Sequence, residues 1–418
     1  MRQDLLHVQA FVGESWRDAR TRARSEVINP ATGRAIATVP ALSGDDVTEA
    51  IRGATGALQA WKAWTPDDRA KVLHRWADLI AEHRGDLATI VTLEQGKPLS
   101  EARGEVDYGA SYLRWYAEQG KRLYGEIIPS HLPNSRLLVL REPIGVVTAI
   151  LPWNFPSALA ARKSAAALAA GCPVILKPAH GTPLSALAYA HLGQLAGVPD
   201  GVFSVVTAPS QAFASVVFAS PDVRKVTFTG STEVGRKLMI AAAAQITRLS
   251  LELGGHAPCL VFNDADLKTA LNCAVAAKFM STGEDCLAIN RILVQEEIYD
   301  EFCRPFAEKT AALKVGNGLE DVDQGPLFDA GVLDKCAAHV ADAKAKGARV
   351  LTGGRRHALG GLFYEPTAIA DVTADMAIFT EETFGPVAPI SRFRTEEEGM
   401  PWPTLPPTAS RRTCSPAT

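Results

Sequence analysis

The strongest constraint on this chain is a rhythm between Ile144 and Gly255. Short apolar runs at 146–151, 174–177, 202–206, 226–229 and 249–253 are separated, in several cases, by Ala-rich stretches of helical character. Each run is too short for a helix and rich in apolar residues, so it reads as a buried parallel strand. Strands of that kind joined by crossover helices make an open, mostly parallel α/β sheet. A second α/β pattern runs from Cys259 to Phe393, and the chain has no internal repeat. Upstream, Asp45 to Gly120 is helical in period, with Val72, Leu73, Trp76, Leu79 and Ile80 on one face. The first forty residues alternate short extended pieces with turn signals at Asn29-Pro30 and Thr32-Gly33. Between Arg122 and Glu142 the period shortens to two around a Pro133-Asn134 turn, which predicts a hairpin.

A length of 418 residues suggests about two or three domains. The net charge of −3 and pI of about 6.3 give no global field that would attract nucleic acid or an anionic membrane. Seven cysteines, odd in number and without C-x-x-C spacing, argue against a metal site or a disulfide framework and fit a reducing compartment. The N-terminus lacks the basic-then-apolar layout of a signal peptide. The longest apolar run, 165–176, contains Gly171 and Pro173 and is too short to span a bilayer. A cytoplasmic location is expected.

Four segments carry chemistry. In Leu151-Pro-Trp-Asn-Phe-Pro156, Asn154 follows a predicted strand and can aim its amide at a developing oxyanion; a rigid loop around a buried Trp153 is the bland alternative. In Phe228-Thr-Gly-Ser-Thr-Glu-Val-Gly235, a strand runs into a helix start, where Gly230, Ser231 and nearby N–H groups can meet a phosphate or simply cap the helix. In Leu251-Glu-Leu-Gly-Gly255, Glu252 lies between apolar neighbours; burial there is expected to raise its pKa toward that of a general base. In Thr282-Gly-Glu-Asp-Cys-Leu-Ala-Ile-Asn-Arg291, Cys286 follows a Gly turn and is expected at a helix start, which would favour the thiolate. Cys172, Cys259, Cys273, Cys303 and Cys336 are expected to be inert core residues.

Together with Glu381-Glu-Thr-Phe-Gly-Pro-Val387, these segments make the chain similar to the aldehyde dehydrogenase superfamily, from about residue 25 to about 398. Residues 122–130 and 152–179 look like its succinate-semialdehyde dehydrogenase branch. The resemblance implies two open parallel-sheet α/β domains plus a β-hairpin oligomerisation element. The dinucleotide-binding domain is expected at 1–120 and 143–254, the hairpin at 121–142 and the catalytic domain at 255–398. It implies Cys286 as nucleophile, Glu252 as base, and Asn154 with the Cys286 N–H as oxyanion donors. For NAD or NADP it implies Trp153, Lys177, His180, Gly230, Ser231, Glu382 and Phe384: Lys177 on the adenosine ribose, Glu382 on the nicotinamide ribose and Phe384 beside the nicotinamide. Lys163 matches a family lysine near the proton path of Glu252.

Four departures modify this picture. His180 stands where NAD-preferring members carry Glu, so NADP is expected to be accepted. Glu284 and Asp285 precede Cys286 and oppose its thiolate. Arg162 matches one of two arginines that hold the substrate carboxylate in the branch, but Met280 occupies the place of the other. Ala288 replaces the second cysteine of some relatives, so no local disulfide switch is expected.

The Pro-rich tail at 399–418 does not resemble the family. Restoring a single G ahead of Pro401, with suitable codons, turns it into ALANATPYGLAAYVFSRD, which looks like the family's next segment. A one-nucleotide deletion is the expected cause. It would leave the hairpin without its C-terminal partner strand, part of the substrate-pocket wall missing and the homo-oligomer impaired. Two other readings compete: a cysteine hydrolase acting without dinucleotide, and a truncated, inactive remnant that at most binds nucleotide.

Overall fold

The computed structural model describes residues 5–399. Apart from Gly399, the tail lies outside the described residues. In chain order the strands are β1 (Ala10–Val12), β2 (Ser15–Arg17), β3 (Arg24–Asn29) and β4 (Arg34–Pro40), followed by helices α1 (Gly44–Ala63), α2 (Pro66–Glu82), α3 (Arg84–Gln95) and α4 (Leu99–Gly120). The hairpin strands β5 (Glu126–Ile128) and β6 (Leu137–Val139) come next. Then follow β7 (Val146–Ile150), α5 (Pro156–Ala169), β8 (Val174–Lys177), α6 (Leu184–Leu195), β9 (Phe203–Val205), α7 (Ser210–Ala219), β10 (Val223–Gly230), α8 (Thr232–Ala242) and β11 (Arg248–Leu253). The last stretch holds β12 (Ala257–Val261), α9 (Leu267–Phe279), β13 (Ile289–Gln295), α10 (Tyr299–Ala311), α11 (Ala330–Ala345), β14 (Arg349–Thr352), β15 (Thr367–Ala370), α12 (Ala377–Thr380), β16 (Val387–Phe393) and α13 (Glu396–Gly399).

The chain divides into two compact units. The first holds residues 5–28, Ala35–Glu94 and Ala102–Glu252; the second holds Asn29–Arg34, Gln95–Glu101 and residues 253–399. The two short excursions into the second unit carry no signal in the sequence.

The sheet of the first unit has the order β11-β10-β7-β8-β9-β1-β2. Strands β10, β7, β8 and β9 run parallel, and β1 adds an antiparallel edge pair with β2. Every predicted strand of this sheet is present, and β10 starts three residues earlier than expected. The helices that cover the sheet bury the predicted faces: Leu73, Trp76, Leu79 and Ile80 of α2 are buried, with the Trp76 indole N–H donating to the Tyr189 carbonyl at 3.1 Å. Two buried carboxylates cap helix starts from elsewhere in this unit. Glu94 accepts from the N–H groups of Leu184 and Ser185 at the start of α6, and Glu105 accepts from those of Ser157 and Ala158 at the start of α5. A carboxylate there satisfies orphan donors and meets the positive end of the helix dipole.

The second unit has the order β12-β13-β16-β15-β14, parallel except for the β14 edge. β12, β13 and β15 are almost wholly buried because both faces are covered, although β13 carries Asn290 and Arg291 among its apolar residues. Along β13, Ile292 and Val294 enter the core formed with Phe302 and Phe306 of α10, while Leu293 enters the opposite core with Leu333 and Val340 of α11. The hairpin forms as expected, with Glu126 opposite Val139 and Ile128 opposite Leu137. Asn134 takes φ +58 in its turn, and Ile127, Leu138 and Leu140 are exposed. No helix among the described residues is long and apolar enough to cross a membrane.

Candidate functional site

In the first unit, β7 ends at Ile150 and the chain turns through Pro152-Trp153-Asn154-Phe155 into α5, whose first turn the Glu105 carboxylate holds. The turn therefore has a fixed exit, and Asn154 within it is buried, with Trp153 half-buried beside it. One turn along α5, Arg162 lies 5.7 Å from the Tyr112 ring centroid, and its Nη2 stands 3.9 Å from Glu252 Oε1. Next to it, the Lys163 ammonium is buried and donates to Thr227 Oγ1 at 2.9 Å. Burial and the neighbouring Arg162 push the Lys163 pKa down to about 8, against an opposing pull from Glu252. The structure thus brings Arg162, Lys163 and Glu252 together.

Glu252 differs from expectation. Its side chain is 60% exposed. The cause is topological: β11 is the edge strand of its sheet, so Leu251 and Leu253 are only partly buried and cannot desolvate the residue between them. Elsewhere in this unit, Lys177 closes β8 with a buried ammonium whose pKa burial lowers to about 8; it donates to the Pro178 carbonyl at 3.3 Å. The exposed His180 lines a small cavity of about 60 Å³ with Val39, Pro183 and Thr207. Gly230 ends β10, and Ser231 caps α8, its hydroxyl accepting from the Val234 N–H at 3.3 Å.

In the second unit, Cys286 is half-buried, but not at a helix start. It sits in a turn between a short 3-10 segment, Met280–Gly283, and β13. The Asp285 side chain accepts from the Leu287 N–H at 2.9 Å and the Asp285 carbonyl accepts from the Ala288 N–H at 2.9 Å, closing the turn before a helix can begin. Without the helix dipole the thiol is not activated. Burial, then the charges of Asp285 and Glu382, push its pKa up to about 11. Ahead of it, Ser281, Thr282 and Gly283 all have positive φ, at 51, 60 and 74. A β-branched threonine in that region is strained. Outside groups hold it there: Glu101 accepts from the Ser281 N–H at 2.8 Å, and a Cβ on Gly283 would stand 2.4 Å from the Gly385 carbonyl oxygen. Met280, at the head of this segment, is exposed.

Glu382 and Phe384 lie on the loop between α12 and β16. Burial raises the pKa of Glu382, and a hydrogen bond from the Gly255 backbone opposes that shift. Its Oε1 is buried without a hydrogen-bond partner. Phe384 takes φ +57. Two buried polar residues of this unit escaped the sequence reading. Lys278 is fully buried, donates to Asn290 Oδ1 at 2.7 Å and has its pKa lowered to about 8 by burial. His339 is buried on α11. A lysine inside the apolar stretch of α9 was the available signal for the first. Cys172, Cys259, Cys303 and Cys336 are buried as expected, whereas Cys273 is exposed on α9.

Comparison with known proteins identifies the family. The aldehyde dehydrogenase family model matches residues 16–402. The glutarate-semialdehyde dehydrogenase of Pseudomonas aeruginosa is 49% identical over 395 residues, covering 94% of this chain and 82% of the relative. The succinate-semialdehyde dehydrogenase (NADP(+)) of Escherichia coli is 48% identical over 396 residues, covering 94% and 82%. Among solved structures, the succinate-semialdehyde dehydrogenase from Burkholderia pseudomallei superposes with a TM-score of 0.95 at 47% identity, covering 97% of this chain and 84% of the other. The chain belongs to the aldehyde dehydrogenase family.

Proposed function

We propose that this aldehyde dehydrogenase oxidises a small semialdehyde with a second, anionic end group to the acid, through a thioester on Cys286, with NADP or NAD as the redox partner. The observation that carries the substrate class is the half-exposed Arg162, fixed beside Tyr112 and within 3.9 Å of a carboxylate oxygen. A guanidinium so held matches a carboxylate end group, and the relatives named above act on succinate and glutarate semialdehydes. Met280, at the other position that the resemblance gives to a substrate arginine, brings no charge.

Cys286 Sγ is the nucleophile, and its proton passes to solvent before or as it attacks, because burial and Asp285 hold the resting thiol protonated. Asn154 and the Cys286 N–H donate to the oxygen that becomes negative. Cys286 then holds the acyl group as a thioester, and Glu252 takes a proton from the water that releases the acid. Exposure lets Glu252 meet that water, and Lys163, with its lowered pKa, is suited to relay the proton onward.

The chain's residues fit a dinucleotide. The buried, unpartnered Oε1 of Glu382 suits a ribose hydroxyl donor, the Lys177 ammonium suits the other ribose, and Ser231 with the N-terminus of α8 suits a phosphate. Trp153, Gly230 and Phe384 complete the binding set, and His180, which brings no carboxylate, leaves a 2′-phosphate unopposed. When bound, the nicotinamide accepts the hydride of the aldehyde carbon. The test is absorbance of reduced cofactor on mixing the purified protein with succinate or glutarate semialdehyde and NADP or NAD. Formation with either semialdehyde, equal or better with NADP, is expected; none with any pairing rejects the reading.

A further inference from the structure

The C-terminal two-thirds of helix α11 and its cap residue read the loop before β16. Four side chains on one of its faces meet residues 375–385 in reverse order. Lys346 Nζ, at its C-terminal end, donates to the Asp375 carbonyl at 2.6 Å. Asp342 Oδ2 accepts from the Ala377 N–H at 2.7 Å. His339 lies 3.3 Å from Glu381 Oε2 through Nε2 and 3.0 Å from Thr383 Oγ1 through Nδ1. Cys336 Sγ packs so closely on Gly385 that a Cβ there would stand 2.4 Å from the sulfur.

The imidazole grips the residues on either side of Glu382. A carboxylate only accepts, so Nε2 carries the proton toward Glu381, and Nδ1 accepts the Thr383 hydroxyl proton. Burial favours this neutral form, with Glu381 opposing. Holding both neighbouring side chains restrains the backbone from which the Glu382 side chain leaves, and Phe384, one residue on, takes positive φ. The loop has little regular structure of its own, so its shape comes from the helix.

We propose that His339 is a positioning residue for cofactor binding, holding Glu382 and Phe384 in place through Glu381 and Thr383. The proposal rests on the roles given to Glu382 and Phe384 above. It separates the α11 face into parts: Lys346 and Asp342 anchor the approach, and His339 sets the segment that meets the ligand.

The test is fluorescence titration with NADPH, alongside iodoacetamide labelling of Cys286 without cofactor. His339→Ala is expected to bind NADPH about tenfold more weakly and to raise the KM for NADP by a similar factor, since small misplacements of binding groups cost this much. Labelling of Cys286 should stay within about twofold of the unmodified protein. His339→Gln, whose amide keeps both a donating NH₂ and an accepting carbonyl oxygen, should stay within about threefold in NADPH affinity. Should His339→Ala fold poorly, Thr383→Val removes only the Nδ1 partner and should weaken NADPH about threefold. Unchanged NADPH affinity in His339→Ala, or in Thr383→Val where that variant stands in, overturns the proposal, as does an equal loss of Cys286 labelling. Glu382→Ala is the control for the underlying reading. If it binds NADPH normally, the role of Glu382 is wrong; if it binds weakly while His339→Ala does not, only the role of His339 is wrong.

Discussion

The loop carrying Cys286 and the strand end carrying Glu252 are opposite environments for two groups assigned to one reaction. The thiol is half-buried, flanked by carboxylates and pushed to a pKa of about 11, so it rests protonated at pH 7. The carboxylate is mostly exposed on an edge strand, opposite a guanidinium 3.9 Å away. A pair at that exposure is worth at most about 1 kcal/mol, so it restrains Glu252 only weakly. The difference teaches that the Cys286 thiol rests protonated while the Glu252 carboxylate stays solvated. Under the proposed mechanism, activation of the thiol has to come from proton removal during attack.

The sharpest way to break this contrast is Cys286→Ala, expected to lower semialdehyde-dependent NADPH formation by at least about 10⁴-fold. Residual turnover above a hundredth of the original rate would mean another nucleophile. Glu252→Gln should slow steady-state turnover by about 10²- to 10³-fold while a first-turnover burst of NADPH survives, because the acyl group forms but is not released. Rapid mixing checks this, and a vanished burst would move Glu252 ahead of the thioester. Arg162→Met should raise the KM for succinate semialdehyde by about tenfold or more and leave an uncharged aldehyde of equal length untouched. Equal losses for both aldehydes would show that Arg162 only supports the fold. The smallest effect concerns the thiol. Asp285 raises its pKa, so Asp285→Asn lowers it, and iodoacetamide labelling should shift to lower pH, about threefold faster at pH 8. A shift toward higher pH would reverse the assigned sign.

Much of the fold was legible because burial on both faces leaves a direct trace: 146–151 and 174–177 are dominated by apolar residues, and the structure makes them β7 and β8. The hairpin was equally plain from its shortened period and its Pro133-Asn134 turn. Around the assigned site, legibility ended where a partner distant in sequence decides the outcome. Cys286 follows a glycine and two acidic residues, as many helix caps do, but the Asp285 turn and the Ile289-Asn-Arg-Ile-Leu-Val294 run behind it make a strand. Glu252 looked desolvated because its neighbours in sequence are leucines. Its exposure depends on β11 lying at the sheet edge, which no local pattern records. His339 carries no local mark at all, since its meaning lies in residues more than forty positions away.

Gly254 in the Leu-Glu-Leu-Gly-Gly segment has a consequence for anyone redesigning this enzyme. A Cβ there would stand 2.3 Å from Glu382 Oε2, so the space a methyl group needs is already filled by a carboxylate brought from 128 residues downstream. Even alanine at 254 obliges that carboxylate to shift. A substitution at this position therefore acts first on where the end of the Glu382 side chain lies, although residue 254 itself offers no side chain to any ligand.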